Sequence, residues 1–327
     1  MSTVTQTGPA ATAGPSPLTE RRGFGDRGFQ ALALIAGLLV LVVLVLIAVS
    51  TAQQSVSWFS TSGLNGIFST HWDPASNRFG AMAFVYGTVI SSVIAIIIAV
   101  PISIGVSLLL TQVVPGKIAR PIVYVIDLLA VVPSVVWGLW GILVLAPWLQ
   151  GIYGSISSGV NGIPVLDSLF GGPSTDGSSF FTAGIVLAIM VTPIITSLAR
   201  EVIATVPAID KEGAYALGAT RWEMIRGAVW PHSQGGVVGA VLVGFGRAMG
   251  ETMAAALVIG ASAQVTSHLF YTGYSIPAVI ANQFGEAAGT MRSALIGLGL
   301  FLFAITIVIN LVARGIVERS ARRARGA

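Results

Sequence analysis

Long apolar runs alternate with short polar segments along this chain. Ala31 to Ser50 carries no charge and, at about 20 residues, is long enough to cross a bilayer. Further runs lie at Gly80–Leu110, Pro121–Trp148, Phe180–Leu198, Gly235–Ala261 and Ala294–Val312. The pattern predicts six crossing helices. Pro101 predicts a kink or break near the inner end of the second run, and Pro133-Ser134 interrupts the third. The first run exceeds the apolar core of a signal peptide and has no clear cleavage site, so it reads as a retained span.

The segments between the runs are polar. Residues 1–22 are rich in Pro, Ala, Ser and Thr, and the 1–30 stretch reads as a disordered tail. Thr51–Arg78 is polar with scattered aromatics, and Trp58, Phe59 and Trp72 suit the lipid headgroup level. Gln150–Ser179 is rich in Gly and Ser and has no basic residue. Residues 80–316 form the main transmembrane domain, and 317–327 a basic tail.

Composition agrees with this division: 54% of residues are hydrophobic and 9% charged, against roughly 25% charged in soluble domains. With the N-terminus in the cytoplasm, the inside segments hold Arg21, Arg22, Arg27, Lys117, Arg120, Arg200, Lys211, Arg221, Arg226 and the arginines of the tail. Outside stand only Arg78 and Arg292. The bias fits the positive-inside rule and places both termini in the cytoplasm. Attraction of the tail to anionic lipid, about 1 kcal/mol per arginine, accounts for it without a nucleic-acid partner.

Some chemistries are excluded. There is no cysteine, hence no disulfide framework and no thiolate metal site. His71, His232 and His268 have no metal-site spacing. The two lysines, Lys117 and Lys211, are followed by Ile118 and Glu212, so neither completes a Walker A phosphate cradle. If ATP drives this protein, another subunit binds it together with its magnesium.

One polar island, Pro207 to Pro231, stands between the fourth and fifth runs. Pro207 suits a helix start. Asp210 and Glu212 complement the helix dipole, and Gly218 offers a stop. Thr220 and Glu223 are spaced as a capping box, so a second helix begins at once. The prediction is two short helices over 207–227, presented at the membrane surface for another protein to grip.

Within the spans three ionisable residues remain: Asp127, Arg247 and Glu251. Each costs about 2.5–3.5 kcal/mol to insert. Counting from Gly236, Arg247 lies about 16 Å deep at 1.5 Å per residue, near the midplane. Arg247 and Glu251 fall at i and i+4, which puts them on one face of an unbroken helix. They are either a self-neutralising pair or an oxyanion passage, since a guanidinium fork matches tetrahedral oxygens. A carboxylate beside it suits a protonated anion: hydrogen phosphate can donate its O–H to Glu251, whereas sulfate at neutral pH has none. Asp127 could pair with Arg120, cap a turn, or reach Arg247.

Several of these segments resemble one family. Glu212-Gly213-Ala214, Gly218 and Pro231 are similar to the cytoplasmic signature loop of ABC importer permeases. Gly213, Ala228 and Trp230 depart from its generic pattern, and E-G-A-x-x-L-G-A-T resembles the phosphate-specific branch. Gly246-Arg247-Ala248-Met249-Gly250-Glu251-Thr252-Met253-Ala254 resembles that branch's fifth-span motif, and Pro133-Ser134-Val135-Val136-Trp137-Gly138 its third-span motif. Tyr86-Gly87-Thr88 resembles the start of the shared domain. The resemblance covers roughly residues 84–316.

It implies an all-α polytopic membrane protein of the ABC importer type I permease fold, in a bacterial inner membrane. It implies a translocation path through Arg247 and Glu251, shared with a second, homologous permease; Thr252 and Ser134, in the same motifs, and Asp127 are further candidates for that path. Two ATP-binding subunits would grip the coupling helices through Glu212, Gly213, Ala214, Gly218, Thr220 and Glu223. An extracytoplasmic phosphate-binding protein would meet the loops at 51–79, 149–179 and 262–292. The chain itself would be no enzyme and hold no cofactor. Two alternatives stay open: the same machine for sulfate or molybdate, and an ion-coupled carrier using Asp127, Arg247 and Glu251 as a proton relay.

Overall fold

The computed structural model describes residues 24–325, so the tail expected at 1–22 lies outside the described residues. The chain divides at Ser50/Thr51 into two units. The first holds the start of helix α1 (Phe24–Ile67), which is apolar around its whole circumference from Ala31 to Val49. That is the composition of a helix meant for hydrocarbon.

The second unit begins within α1, which turns at Gly63, where φ is +59°. A two-residue hairpin follows, β1 (Trp72–Asp73) and β2 (Arg78–Phe79). Next come α2 (Met82–Leu108), a π turn at Leu109–Val113, and α3 (Gly116–Val131). Helix α4 (Ser134–Trp140) runs through a π turn at Gly141–Leu145 into α5 (Ala146–Val160), and a short α6 (Pro164–Phe170) follows. Beyond α7 (Phe180–Ala204) stand α8 (Ala208–Ala216) and α9 (Arg221–Met224). A π turn at Ile225–Val229 leads into α10 (Trp230–Gly250). The chain closes with α11 (Met253–Val258), α12 (Ile276–Gln283) and α13 (Gly289–Arg325).

Among the described residues five helices, not six, are long and apolar enough to cross a membrane: Gly28–Gly63, Met82–Val113, Ser134–Val160, Phe180–Ala204 and Gly289–Val312. The expected span Gly235–Ala261 is divided between α10 and α11. The expected third span, Pro121–Trp148, is cut at Pro133. Val132 before it takes an extended ψ of 128°, as the residue preceding a proline prefers.

Pro101 does not break α2. Gly87, Ser91, Ala95, Ala99, Ser103 and Ser107 recur at every fourth position of α2, and all are buried. This row of small residues lets α7 come close, and a Cβ on Gly184 would lie 2.7 Å from Ile94 Cβ. The row continues on both sides of Pro101, so a break there would lose half the contact. Ser103 and Ser107 also donate across to the carbonyls of Thr192 and Thr196, at 3.1 and 2.9 Å. These bonds brace α7 on either side of Pro193, which likewise sits inside a continuous helix.

Trp58 does not face lipid. It is fully buried among Ile67, Phe79, Phe84, Tyr274 and Leu298, and its indole N–H donates to the Phe79 carbonyl at 2.8 Å. Gly297 makes room for the ring. Trp58→Ala should therefore destabilise the fold by about 3–5 kcal/mol, and Trp58→Phe by much less. Thermal unfolding in detergent measures both; equal melting of wild type and Trp58→Ala would refute this account.

Candidate functional site

The polar island folds into two helices joined at Gly218. Gly218 takes φ +82°, in the left-handed region that glycine tolerates. Its N–H donates to Tyr215 O at 2.9 Å, and Ala219 N–H to Ala214 O at 3.1 Å. This double bond pattern is a Schellman stop. Thr220 opens the next helix with a complete capping box. Its N–H donates to Glu223 Oε2 at 2.7 Å, and Glu223 N–H donates back to Thr220 Oγ1 at 3.4 Å. Bonds from the backbone and then the side chain of Thr220 hold the Glu223 carboxyl below its usual range.

The island is firmly rooted and widely exposed. Met224, Ile225 and Val229 are buried against Ile203 and Val206. No residue of α8 is buried, while Ile209, Leu217 and Trp222 present large apolar surfaces outward. Leu217 is 91% exposed. Glu212 and Gly213 are exposed as well, and Ala214 is half-buried against the core. Exposed apolar patches of this kind are candidates for contact with another protein.

The second helix does not stop near residue 227 as expected. From Arg221 the helical path runs through the π turn into α10 without interruption. Arg247 lies in the last turn of α10, where the helix dipole favours a cation. Its side chain is exposed, and among the described residues it has no hydrogen-bond or ion-pair partner. Gly246 and Gly250 flank it, and a Cβ on either would meet only open space. Their G-x-x-x-G spacing is thus unused among the described residues.

Glu251 does not share a helical face with Arg247. It ends α10 with an extended ψ of 124°, and its Oε1 accepts from Ala254 N–H at 3.3 Å at the start of α11. Each charge thus stands where its sign suits a helix end, on either side of a break inside the apolar region. Thr252 is the residue before α11 and its hydroxyl donates to Gly250 O at 3.4 Å. A broken helix with charges at the joint recurs where membrane proteins pass ions.

The two motifs of the third and fifth spans touch. A Cβ on Gly138 would lie 2.9 Å from Ala254 Cα, so α4 and α11 pack backbone to backbone. Ser134 opens α4. Trp137 joins this contact, and its buried indole N–H finds no acceptor among the described residues. No sequence rule pointed to that donor.

Asp127 goes elsewhere. Its Oδ2 lies 3.7 Å from Arg200 Nη2, not against Arg120 or Arg247. The cleft around it is lined by the π turn after α2, by α3 and by α7, with no residue of α10.

The family of binding-protein-dependent transport system inner membrane components matches residues 103–326. The chain belongs to this family. It is 42% identical to the phosphate transport system permease protein PstC of Mesorhizobium japonicum, over 98% of both chains. It is 43% identical to the PstC of Haemophilus influenzae, covering 89% of this chain and 92% of that relative. The PstC 2 of Mycobacterium tuberculosis is 36% identical, covering 89% and 91%.

Solved structures share the fold. A bacterial ABC transporter importing the acidic polysaccharide alginate superposes with a TM-score of 0.56 at 15% identity, over 89% of this chain and 96% of that one. The inward-facing MetNI methionine ABC transporter gives 0.52 at 14%, over 76% and 99%. The permease is therefore a multi-pass inner-membrane transport subunit with the ABC importer permease fold, and ATP is bound by a separate ATPase.

Proposed function

We propose that this permease carries inorganic phosphate inward, as one of two homologous permeases whose facing surfaces enclose the path. The observation that carries the reading is Arg247: a guanidinium fork without a partner among the described residues, on the open side of α10, at a helix break within the apolar region. Open space at Gly246 and Gly250 leaves room there for a second helix to approach. The names of the relatives point to phosphate rather than another oxyanion.

In this reading two ATPase subunits grip the surface formed by Ile209, Glu212, Leu217 and Trp222. Both termini lie on that side, as the basic residues indicate. At the opposite ends of α2 and α7, the hairpin, α6 and the segment before α12 face the phosphate-binding protein. Competition tests the substrate: arsenate should block uptake of labelled phosphate, and sulfate and tungstate should not. Inhibition by tungstate or sulfate would favour the alternative oxyanion. Uptake by the chain alone in nucleotide-free vesicles would favour the ion-coupled carrier.

Glu251→Gln probes the carboxylate. An amide can turn its NH₂ toward the substrate and lose the acceptor for a phosphate O–H, so uptake should fall about tenfold, the worth of one hydrogen bond to a charged group. Transport rates at equal expression measure it, and normal rates would remove the reason for preferring a protonated anion.

A further inference from the structure

Two cavities lie along one seam, and the transport reading uses neither. Both lie between α3 and α7, one closed by the π turn after α2 and the other by α2 itself. The one beside the 207–231 loop is a cleft of about 340 Å³ holding Arg120, Asp127 and Arg200, with the Thr111 and Tyr124 side chains in its lining. The one deeper in the apolar region is a slot of about 320 Å³, lined by residues such as Ile102, Ile126 and Ile189. The order along each helix is the same. From the loop inward, α7 offers Arg200 and then Ile189, and α3 offers Arg120 and then Ile126.

The charges do not cancel. Arg200 meets Asp127 by a single contact at 3.7 Å, which leaves most of its fork unused. Arg120 has no ion-pair partner among the described residues. Lys117, Arg120, Tyr124 and Asp127 follow at spacings of three and four, so they share one face of α3. The neighbouring face carries the exposed Ile118, Ile122, Val125 and Leu128, which belong in hydrocarbon. The seam therefore opens toward lipid, with surplus positive charge at headgroup depth and an apolar slot beneath it.

We propose that this seam binds an anionic phospholipid, its phosphate on Arg120 and Arg200 and one acyl chain in the slot. Basic pockets between helices near the leaflet surface recognise such headgroups. Asp127 then tunes the site, keeping Arg200 in place and lowering the net charge.

The test uses the assembled transporter, reconstituted in equal parts phosphatidylglycerol and phosphatidylcholine and examined by native mass spectrometry. Phosphatidylglycerol should be retained selectively. Arg120→Gln and Arg200→Gln should each lower retention about fivefold, the effect of about 1 kcal/mol per arginine. Arg120 is exposed, so its variant keeps the fold even if that of Arg200 does not. Asp127→Asn should raise retention, whereas a merely structural ion pair would leave it unchanged or lower it. Ile126→Trp should fill the slot and abolish retention without altering charge. Equal retention of both lipids, or arginine variants without effect, would overturn the proposal. So would displacement by inorganic phosphate alone, which would make this a free-oxyanion site, or a crosslink from position 124 to another subunit.

Discussion

Arg247→Ala should lower phosphate uptake about a hundredfold while the transporter still assembles. Truncating one partner of a desolvated charge pair costs about 2–5 kcal/mol, and about 2.8 kcal/mol is already a factor of 100. The side chain has no partner among the described residues: it is exposed, and the glycines beside it open onto empty space. Its removal therefore leaves no cavity and should not change the melting temperature. Arg247→Lys keeps the charge but loses the planar fork, so it should fall between the two. Uptake assays beside co-purification of the ATPase separate the possibilities, and undiminished flux in Arg247→Ala would remove this residue from the path.

Gly218→Val should uncouple hydrolysis from transport. A side chain in the left-handed region costs about 1–2 kcal/mol, and β-branching makes it worse. That cost shifts the population of correctly set loops by about five- to thirtyfold. Packing plays no part, since nothing lies within 4 Å of an added Cβ. Gly218→Asn should be far milder, because Asn tolerates this conformation. Phosphate moved per ATP hydrolysed is the measurement. If Gly218→Val keeps the wild-type ratio, the turn is not part of the coupling.

The sequence was most readable where the rules are local. Gly218 as a stop and Thr220 with Glu223 as a cap depend only on residues three to five apart, and the structure holds them in those conformations. Prolines were ambiguous because their effect is decided by neighbours. Pro133 ends a helix and lets Gly138 reach Ala254, whereas Pro101 sits within a row of small residues that holds α2 straight against α7. Long-range partners were invisible. Trp58 owes its burial to Gly297, and Asp127 met Arg200 rather than any charge near it in sequence. The i, i+4 spacing of Arg247 and Glu251 misled because α10 ends before Glu251, whose carboxylate accepts from the backbone N–H of Ala254.

The unbroken path from Thr220 to Gly250 carries a mechanical implication. Glu223 and Arg247 sit on a common shaft about 36 Å apart at 1.5 Å per residue. A twist applied at the cap meets two soft points on that shaft, the wider π turn at Ile225–Val229 and Pro231, which has no backbone N–H to donate. Under the coupling proposed above, these points act as a clutch, and their stiffness decides how much of a push at the membrane surface arrives as rotation of the arginine.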